Sequence, residues 1–140
     1  MASTARLYSP EVLGLATRLA SYPMADDLPL RADARSPACG SRIELGLATD
    51  AMGTITRIGL KAQACAIGQA AAAIFAEGAA GCSAADIDTA RDAIRRWLAG
   101  EGELPNWPGL AAIAPARDFA GRHGAIMLSW NAASQALSSI

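Results

Sequence analysis

Two cysteines of this chain have neighbours that suit nucleophilic or metal-binding chemistry. Cys39 follows Pro37, which favours an extended backbone, and precedes Gly40, which leaves the sulfur without a bulky neighbour. Cys65 lies at the first turn of a predicted helix, where unpaired backbone N–H groups and the helix dipole favour a thiolate. Thiolates attack sulfur atoms and bind soft metals. A lone cysteine is usually a core residue, so only the proximity of the two favours a functional site.

The segment between the two cysteines predicts a β-hairpin. Residues 42–49 and 54–63 alternate between apolar and polar side chains, and Gly53 in the turn between them is free to adopt a positive φ. Ile55 is out of phase with its strand, which predicts a β-bulge near Thr56–Arg57. The outer ends of an antiparallel hairpin lie side by side. The two thiols are therefore expected to come close together.

The rest of the sequence predicts helices around a small sheet. Helical patterns cover Ser9–Tyr22, Cys65 to about Ala76, Ser83–Gly100, one short turn at Trp107–Leu110, and a last helix that contains Ile126, Trp130 and Leu137. A weak alternation around Pro29 predicts a short edge strand, because proline is tolerated at a sheet edge. This order indicates an α+β fold, in which helices pack on one face of an antiparallel sheet of about three strands.

Composition excludes several classes of function. With 140 residues, the chain is predicted to form one domain, 1–140. The net charge is −1 and the basic residues are scattered, which argues against a nucleic-acid partner. The most apolar stretch, 62–80, is mostly alanine and predicts a buried helix, so no membrane partner is expected. Three cysteines without a visible export signal favour reduced thiols in a cytoplasmic protein.

The two cysteine motifs and the hairpin between them resemble the NifU/IscU/SufU iron–sulfur scaffold family. That family has Pro-x-Cys-Gly-Asp, a hairpin, and then Gly-Cys-Ala-Ile-x-x-Ala-Ser; this chain has Pro-Ala-Cys-Gly-Ser at 37–41 and Ala-Cys-Ala-Ile-Gly-Gln-Ala at 64–70. A looser likeness extends from Tyr8 to Leu137. The resemblance implies a SufE/NifU-like fold and a scaffold or carrier that is not an enzyme. A single histidine also argues against a hydrolytic triad.

The chain departs from the family at two site positions. Ser41 stands where the family has an aspartate that is implicated in keeping a bound cluster labile. Counting back five residues from Trp130, where the family has its third cysteine, reaches Ala125. His123 lies two residues earlier, and it is either a replacement metal ligand or an ordinary solvated histidine. Asp118 is a weaker candidate for a further ligand.

The resemblance leaves the cargo of the site open. Cys39 and Cys65, with or without His123, could hold an iron–sulfur cluster, iron or Zn²⁺, and a homodimer would offer four thiolates to one cluster. Alternatively, one cysteine accepts a persulfide from a cysteine desulfurase, or the fold is a metal-free interaction module. The implied partners are a cysteine desulfurase and other iron–sulfur assembly proteins. Cys82 matches no family position and is interpreted as structural.

Overall fold

The structure is a computed structural model, and it describes residues 7–139. Its helices are α1 (Pro10–Arg18), α2 (Ala66–Ala79), α3 (Ala84–Leu98) and α4 (His123–Leu137), and its strands are β1 (Leu30–Arg35), β2 (Arg42–Thr49) and β3 (Ile55–Gln63). Short 3-10 helices cover Leu19–Ser21, Leu110–Asp118 and Ala120–Arg122. This content confirms the predicted α+β fold.

The three strands form one antiparallel sheet in the order β1-β2-β3. The outermost pair of the β2–β3 hairpin is Arg42 opposite Gln63, so the chain enters β2 and leaves β3 at the same end of the sheet. At the other end the register shifts, because Ala48 pairs with Arg57 while Thr49 pairs with Ile55. The residue skipped by this shift is Thr56, which confirms the predicted bulge.

The helices cover one face of this sheet. The inward side chains of β2 are Ile43, Leu45 and Leu47, and all three are buried. α4 packs across β1 and β2, and α2 packs against β3 and α4. Most of α2 is small and buried, which allows the close packing that its many alanines predict. No helix among residues 7–139 has the length and apolar character needed to cross a membrane.

Three aromatic rings join α2 to the loop after α3 and to α4. Trp130 meets Phe75 and Trp107 edge to face, with ring centroids 5.4 Å apart in both pairs. Phe75 stacks on Trp107 at 5.9 Å, and the Trp107 indole donates a hydrogen bond to the carbonyl of Ile74 at 2.9 Å. Such geometries are favourable beyond the area they bury. They fix α2 and α4, the two helices that begin near the cysteines.

The opposite face of the sheet is crossed by the segment before β1. A Cβ on Gly59 would lie 2.7 Å from the carbonyl oxygen of Pro23 and 2.6 Å from Cδ1 of Leu28. Glycine at this position therefore lets the backbone pass close to β3. The edge strand begins at Leu30, just after the predicted position around Pro29, because Leu28 belongs to the crossing segment and is buried against the glycines of β2 and β3 instead of pairing in the sheet.

Most helix boundaries follow the predicted capping residues. The Ser9 hydroxyl accepts a hydrogen bond from the N–H of Val12 at 3.2 Å, as expected for the cap of α1. α2 extends three residues beyond the predicted end, to Ala79. The turn expected near Leu110 is the start of a longer 3-10 helix.

The capping box of α3 provides a first testable prediction. The Ser83 hydroxyl accepts from the N–H of Asp86 at 3.2 Å, and the Asp86 carboxylate accepts from the N–H of Ser83 at 3.0 Å. Ser83→Ala removes one half of this pair and should lower the free energy of unfolding by about 1 kcal/mol. Urea denaturation measures the effect. Thr89→Ala, at an exposed position of the same helix, is the control and should change little.

Candidate functional site

The structure brings both cysteines to the vicinity of one arginine. Cys39 lies three residues before β2 and Cys65 two residues after β3, at the shared end of the hairpin. The pKa of Arg122 is raised, first by a hydrogen bond to the Tyr8 hydroxyl at 3.3 Å, and then by the charge of Cys65 and, more weakly, of Cys39. Both sulfurs are thus within electrostatic range of the same guanidinium. The hairpin brings both cysteines to one end of the sheet, and a shared site for the two sulfurs stays a prediction.

Cys39 lies in a short loop that closes on itself. The N–H of Ser36 donates to the carbonyl of Ser41, and the N–H of Gly40 donates to the carbonyl of Ser36, both at 2.8 Å. Gly40 has a φ of 71°, a left-handed conformation that favours glycine. The Cys39 thiol donates a hydrogen bond to the Ser41 hydroxyl at 3.1 Å. The loop therefore holds the sulfur between two buried serines.

These serines favour the ionised form of Cys39. The pKa of the thiol is lowered, chiefly by the Ser36 hydroxyl, then by the Ser41 hydroxyl, and more weakly by Arg122, while partial burial opposes them. The Ser36 hydroxyl makes no hydrogen bond with any protein group of residues 7–139, and the neutral thiol donates its proton to Ser41. It is close enough to donate to a negatively charged sulfur.

Ser41 has a chemical role different from that of the carboxylate expected from the resemblance. A carboxylate beside Cys39 would repel a thiolate, whereas the Ser41 hydroxyl can donate to one. At 3% exposure, this hydroxyl is shielded from competing water. The departure at Ser41 thus makes the surroundings of Cys39 more favourable to negative charge.

Cys65 is the N-cap residue of α2 and is half-buried, with no capping hydrogen bond from its side chain. One turn further along α2, a Cβ on Gly68 would lie 3.3 Å from the Cβ of Ala125. Ala125 is 1% exposed. Ala125 therefore packs against the helix that Cys65 begins, and its alanine side chain provides no ligand there.

His123 is the first residue of α4, and its ring is held by a backbone carbonyl. Its Nε2 lies 2.8 Å from the carbonyl oxygen of Arg117. Because a carbonyl only accepts, Nε2 carries the proton and Nδ1 of the neutral ring is left as the acceptor. Asp118 is exposed. Over residues 7–139 no three His, Cys, Asp or Glu side chains are grouped for metal binding, so ligation by His123 stays a prediction.

Sequence reasoning assigned no role to Ser36 or Tyr8. Ser36 lies three residues before Cys39. This short spacing, which lets a tight loop bring the two side chains together, is the sequence feature that could have indicated its role. Tyr8 is separated from Arg122 by 114 positions, and no local pattern predicts their contact. The guanidinium of Arg117, five residues before Arg122, lies away from the cysteines, beside Gly100 at the end of α3.

Cys82 has the opposite environment to Cys39. Its thiol donates to the carbonyl of Gly78 at 3.5 Å. Burial, and secondarily the nearby Asp86 carboxylate, raise the pKa of this thiol. Cys82 is therefore a suitable internal reference for the alkylation rate of Cys39.

Alkylation rates provide a second prediction. A lowered pKa gives Cys39 more thiolate than Cys82 at neutral pH, and the difference should shrink above the ordinary thiol pKa of about 8.5. Iodoacetamide labelling of the metal-free protein, followed by peptide mass spectrometry across pH, measures both rates. Ser41→Ala should move the Cys39 profile to higher pH. Faster labelling of Cys82 at neutral pH would contradict the assignment.

Comparison with known proteins extends the likeness beyond the motifs. No family model and no curated protein sequence matches the chain. Among solved structures, the N-terminal part of a nitrogen-fixing NifU-like protein from Brucella abortus is 26% identical, with a TM-score of 0.89 over 98% of this chain and 96% of that one. A candidate iron–sulfur cluster assembly scaffold for the SUF system, from Fervidobacterium islandicum AW-1, is 16% identical, with a TM-score of 0.85 over 96% and 99%. The protein therefore has a NifU/IscU/SufU-type fold.

Proposed function

We propose that the protein is a non-enzymatic scaffold or carrier in iron–sulfur cluster assembly, and that Cys39 and Cys65 bind its cargo. The observation that carries this proposal is that Cys39 and Cys65 flank the same end of the β2–β3 hairpin, where Arg42 pairs with Gln63. Two thiolates and their bound cargo carry negative charge, which a nearby guanidinium stabilises. The similarity to a scaffold of the SUF system supports the same role.

The number of ligands is the chemical constraint on this role. An iron–sulfur cluster usually takes four thiolates, and histidine can replace some of them. One chain offers Cys39 and Cys65, so two copies of the chain would supply four thiolates to a cluster between them. Zinc would be satisfied by two thiolates, one imidazole and a carboxylate or water. Iron, zinc or a cluster is thus compatible with the donor set.

His123 would complete the set through Nδ1. A histidine that binds a metal commonly donates its other ring N–H to a carbonyl, which fixes the tautomer. The Nε2 contact with the carbonyl of Arg117 has this form. The ring must still move toward Cys39 and Cys65, since the three do not form a coordinating group over residues 7–139. His123 is therefore proposed as a ligand that joins once cargo is present.

The partners in this proposal follow from the resemblance: a cysteine desulfurase and other iron–sulfur assembly proteins. The cytoplasm is the proposed location, because all three cysteines are free thiols. Residues 1–140 are proposed to act as one scaffold domain. A net charge of −1 supports a protein partner over nucleic acid.

Anaerobic reconstitution tests the scaffold role. The protein is incubated with ferrous iron and sulfide, desalted and examined by visible absorption, with iron and sulfide measured per chain. We expect absorption in the visible region, and light scattering on the same sample to show whether one chain or two hold the cluster. A colourless product with no retained iron would contradict the role.

A second function is favoured by the surroundings of Cys39. A half-buried thiol flanked by two serine hydroxyls and one arginine is suited to accept sulfur. The Cys39 thiolate would attack the outer sulfur of a desulfurase persulfide. The S–S bond of the enzyme breaks, a new S–S bond forms on Cys39, and the enzyme thiolate leaves. Mass spectrometry after incubation with a desulfurase and cysteine should find one extra sulfur on Cys39; no adduct would exclude this function.

A further inference from the structure

The Ser36 hydroxyl is buried without a protein partner. Ser36 is 2% exposed, and its Oγ has no hydrogen bond with any protein group of residues 7–139. The backbone N–H and C=O of Ser36 are both hydrogen-bonded, to Ser41 and Gly40, in closing the loop. Burying a hydroxyl without a partner is unfavourable, and each such group in a folded protein needs an explanation.

The Ser36 hydroxyl lies against the start of the last helix and in the loop that carries Cys39. A Cβ added to Gly124, in the first turn of α4, would collide with the Ser36 Oγ. The N–H of Gly40 closes the loop on the carbonyl of Ser36, and the Ser36 hydroxyl is the first cause of the lowered pKa of Cys39. Ser41 already accepts the Cys39 proton, so the Ser36 proton is not needed by the neutral thiol.

We propose that Ser36 is a positioning residue whose hydroxyl donates a hydrogen bond to a sulfur atom carried on Cys39. That atom is the outer sulfur of a persulfide or a sulfide of a bound cluster. Both are electron-rich sulfurs: the first is bonded directly to the Cys39 sulfur, and the second is bonded to a metal that the Cys39 sulfur binds. This inference rests on the proposed function, because it assigns Ser36 a sulfur partner in the loaded site. While Cys39 of the empty protein is a neutral thiol, the hydroxyl makes no hydrogen bond with any protein group of residues 7–139.

The chain contains a matched control for this proposal. Ser129, on α4, is 1% exposed, and its hydroxyl also has no protein partner over residues 7–139. It lies more than one helical turn beyond Gly124, away from the start of α4. Ser129→Ala therefore removes the same kind of buried hydroxyl without touching the Cys39 loop.

The first arm of the test uses inorganic tetrasulfide as the sulfur donor. The Cys39 thiolate attacks the polysulfide, one S–S bond of tetrasulfide breaks, a persulfide forms on Cys39, and trisulfide leaves. Peptide mass spectrometry measures the loaded fraction of Cys39 against tetrasulfide concentration. Ser36→Ala should raise the concentration for half-loading about tenfold, as expected for loss of a hydrogen bond to a charged group. Ser129→Ala should match the wild type.

The second arm uses ferrous iron and sulfide under anaerobic conditions. A hydrogen bond to a cluster sulfide alters the electronic environment of the cluster. Ser36→Ala should therefore shorten the lifetime of the reconstituted cluster and shift its visible circular dichroism, whereas Ser129→Ala changes neither. An effect in the tetrasulfide arm alone assigns Ser36 to a persulfide, and an effect in this arm alone assigns it to a cluster.

Stability of the empty protein separates positioning from a structural role. At a pH that keeps Cys39 a neutral thiol, Ser36→Ala removes no hydrogen bond of the empty protein, so the urea midpoint should stay unchanged or rise slightly. If Ser36→Ala loads like the wild type in both arms, the inference is wrong while the proposed function stands. If the wild type takes up neither tetrasulfide sulfur nor a cluster, both are wrong.

Discussion

Cys39→Ser and Cys65→Ser are each expected to abolish the visible absorption of the anaerobically reconstituted protein. Serine preserves the size of the side chain but replaces a soft sulfur by a hard, weakly acidic oxygen, which binds iron and zinc poorly at neutral pH. One chain offers only these two thiols near Arg122, so loss of either leaves a single thiolate. Iron and sulfide analysis of each variant measures the effect.

Cys82→Ser is the control for both substitutions. Cys82 bonds to the Gly78 carbonyl and has a raised pKa, so its removal should leave iron content and absorption unchanged. A variant that retains colour without Cys39 or Cys65 would show that the residue is not a ligand. Loss of colour in Cys82→Ser with unchanged stability would place the cargo elsewhere.

Trp130→Ala should cause the largest loss of stability. Trp130 is fully buried and contacts both Phe75 and Trp107. Removing a buried indole typically costs about 3 to 5 kcal/mol, a large part of the roughly 5 to 15 kcal/mol that stabilises a small domain. The cavity would lie between α2 and α4. Cys65 and Arg122 directly precede these helices, so the distance between them should no longer be fixed.

Two measurements check this prediction. Urea denaturation monitored by far-UV circular dichroism should show the lower midpoint, and iron retention after reconstitution should fall with it. Leu13→Ala, at a position that is 50% exposed, is the control and should have little effect on either. A Trp130→Ala protein as stable as the wild type would contradict the role assigned to the aromatic cluster.

The hairpin and the helices could be predicted because their patterns are local. Alternation over 42–49 and 54–63 fixes which side chains face the core, and the out-of-phase Ile55 reveals the bulge. Ser9 and Ser83 mark helix starts through bonds to residues three positions away. The position of β1 was harder to predict, because this strand follows a proline and combines alanines with charged residues. Its pairing with β2 determines where it forms more strongly than its own sequence pattern does.

The details of the site depend on contacts that the sequence does not reveal. The position of Ser41 was identified, but its effect on Cys39 follows from burial and from a hydrogen bond seen only in the fold. From the sequence alone, Arg122 is most simply interpreted as an ordinary surface charge; its contact with Tyr8 joins distant parts of the chain. The role of Ser36 required knowing that its hydroxyl is buried and lacks a protein partner over residues 7–139.

A crystal structure of the zinc-loaded protein, with anomalous data at the zinc edge, tests the central claim most directly. The claim is that Cys39 and Cys65 form one cargo site beside Arg122. We predict one anomalous peak bonded to both sulfurs at about 2.3 Å, with His123 Nδ1 or a second chain completing the ligands. A peak that contacts neither cysteine, or only one of them, with the sulfurs too far apart to share a metal, would contradict the claim.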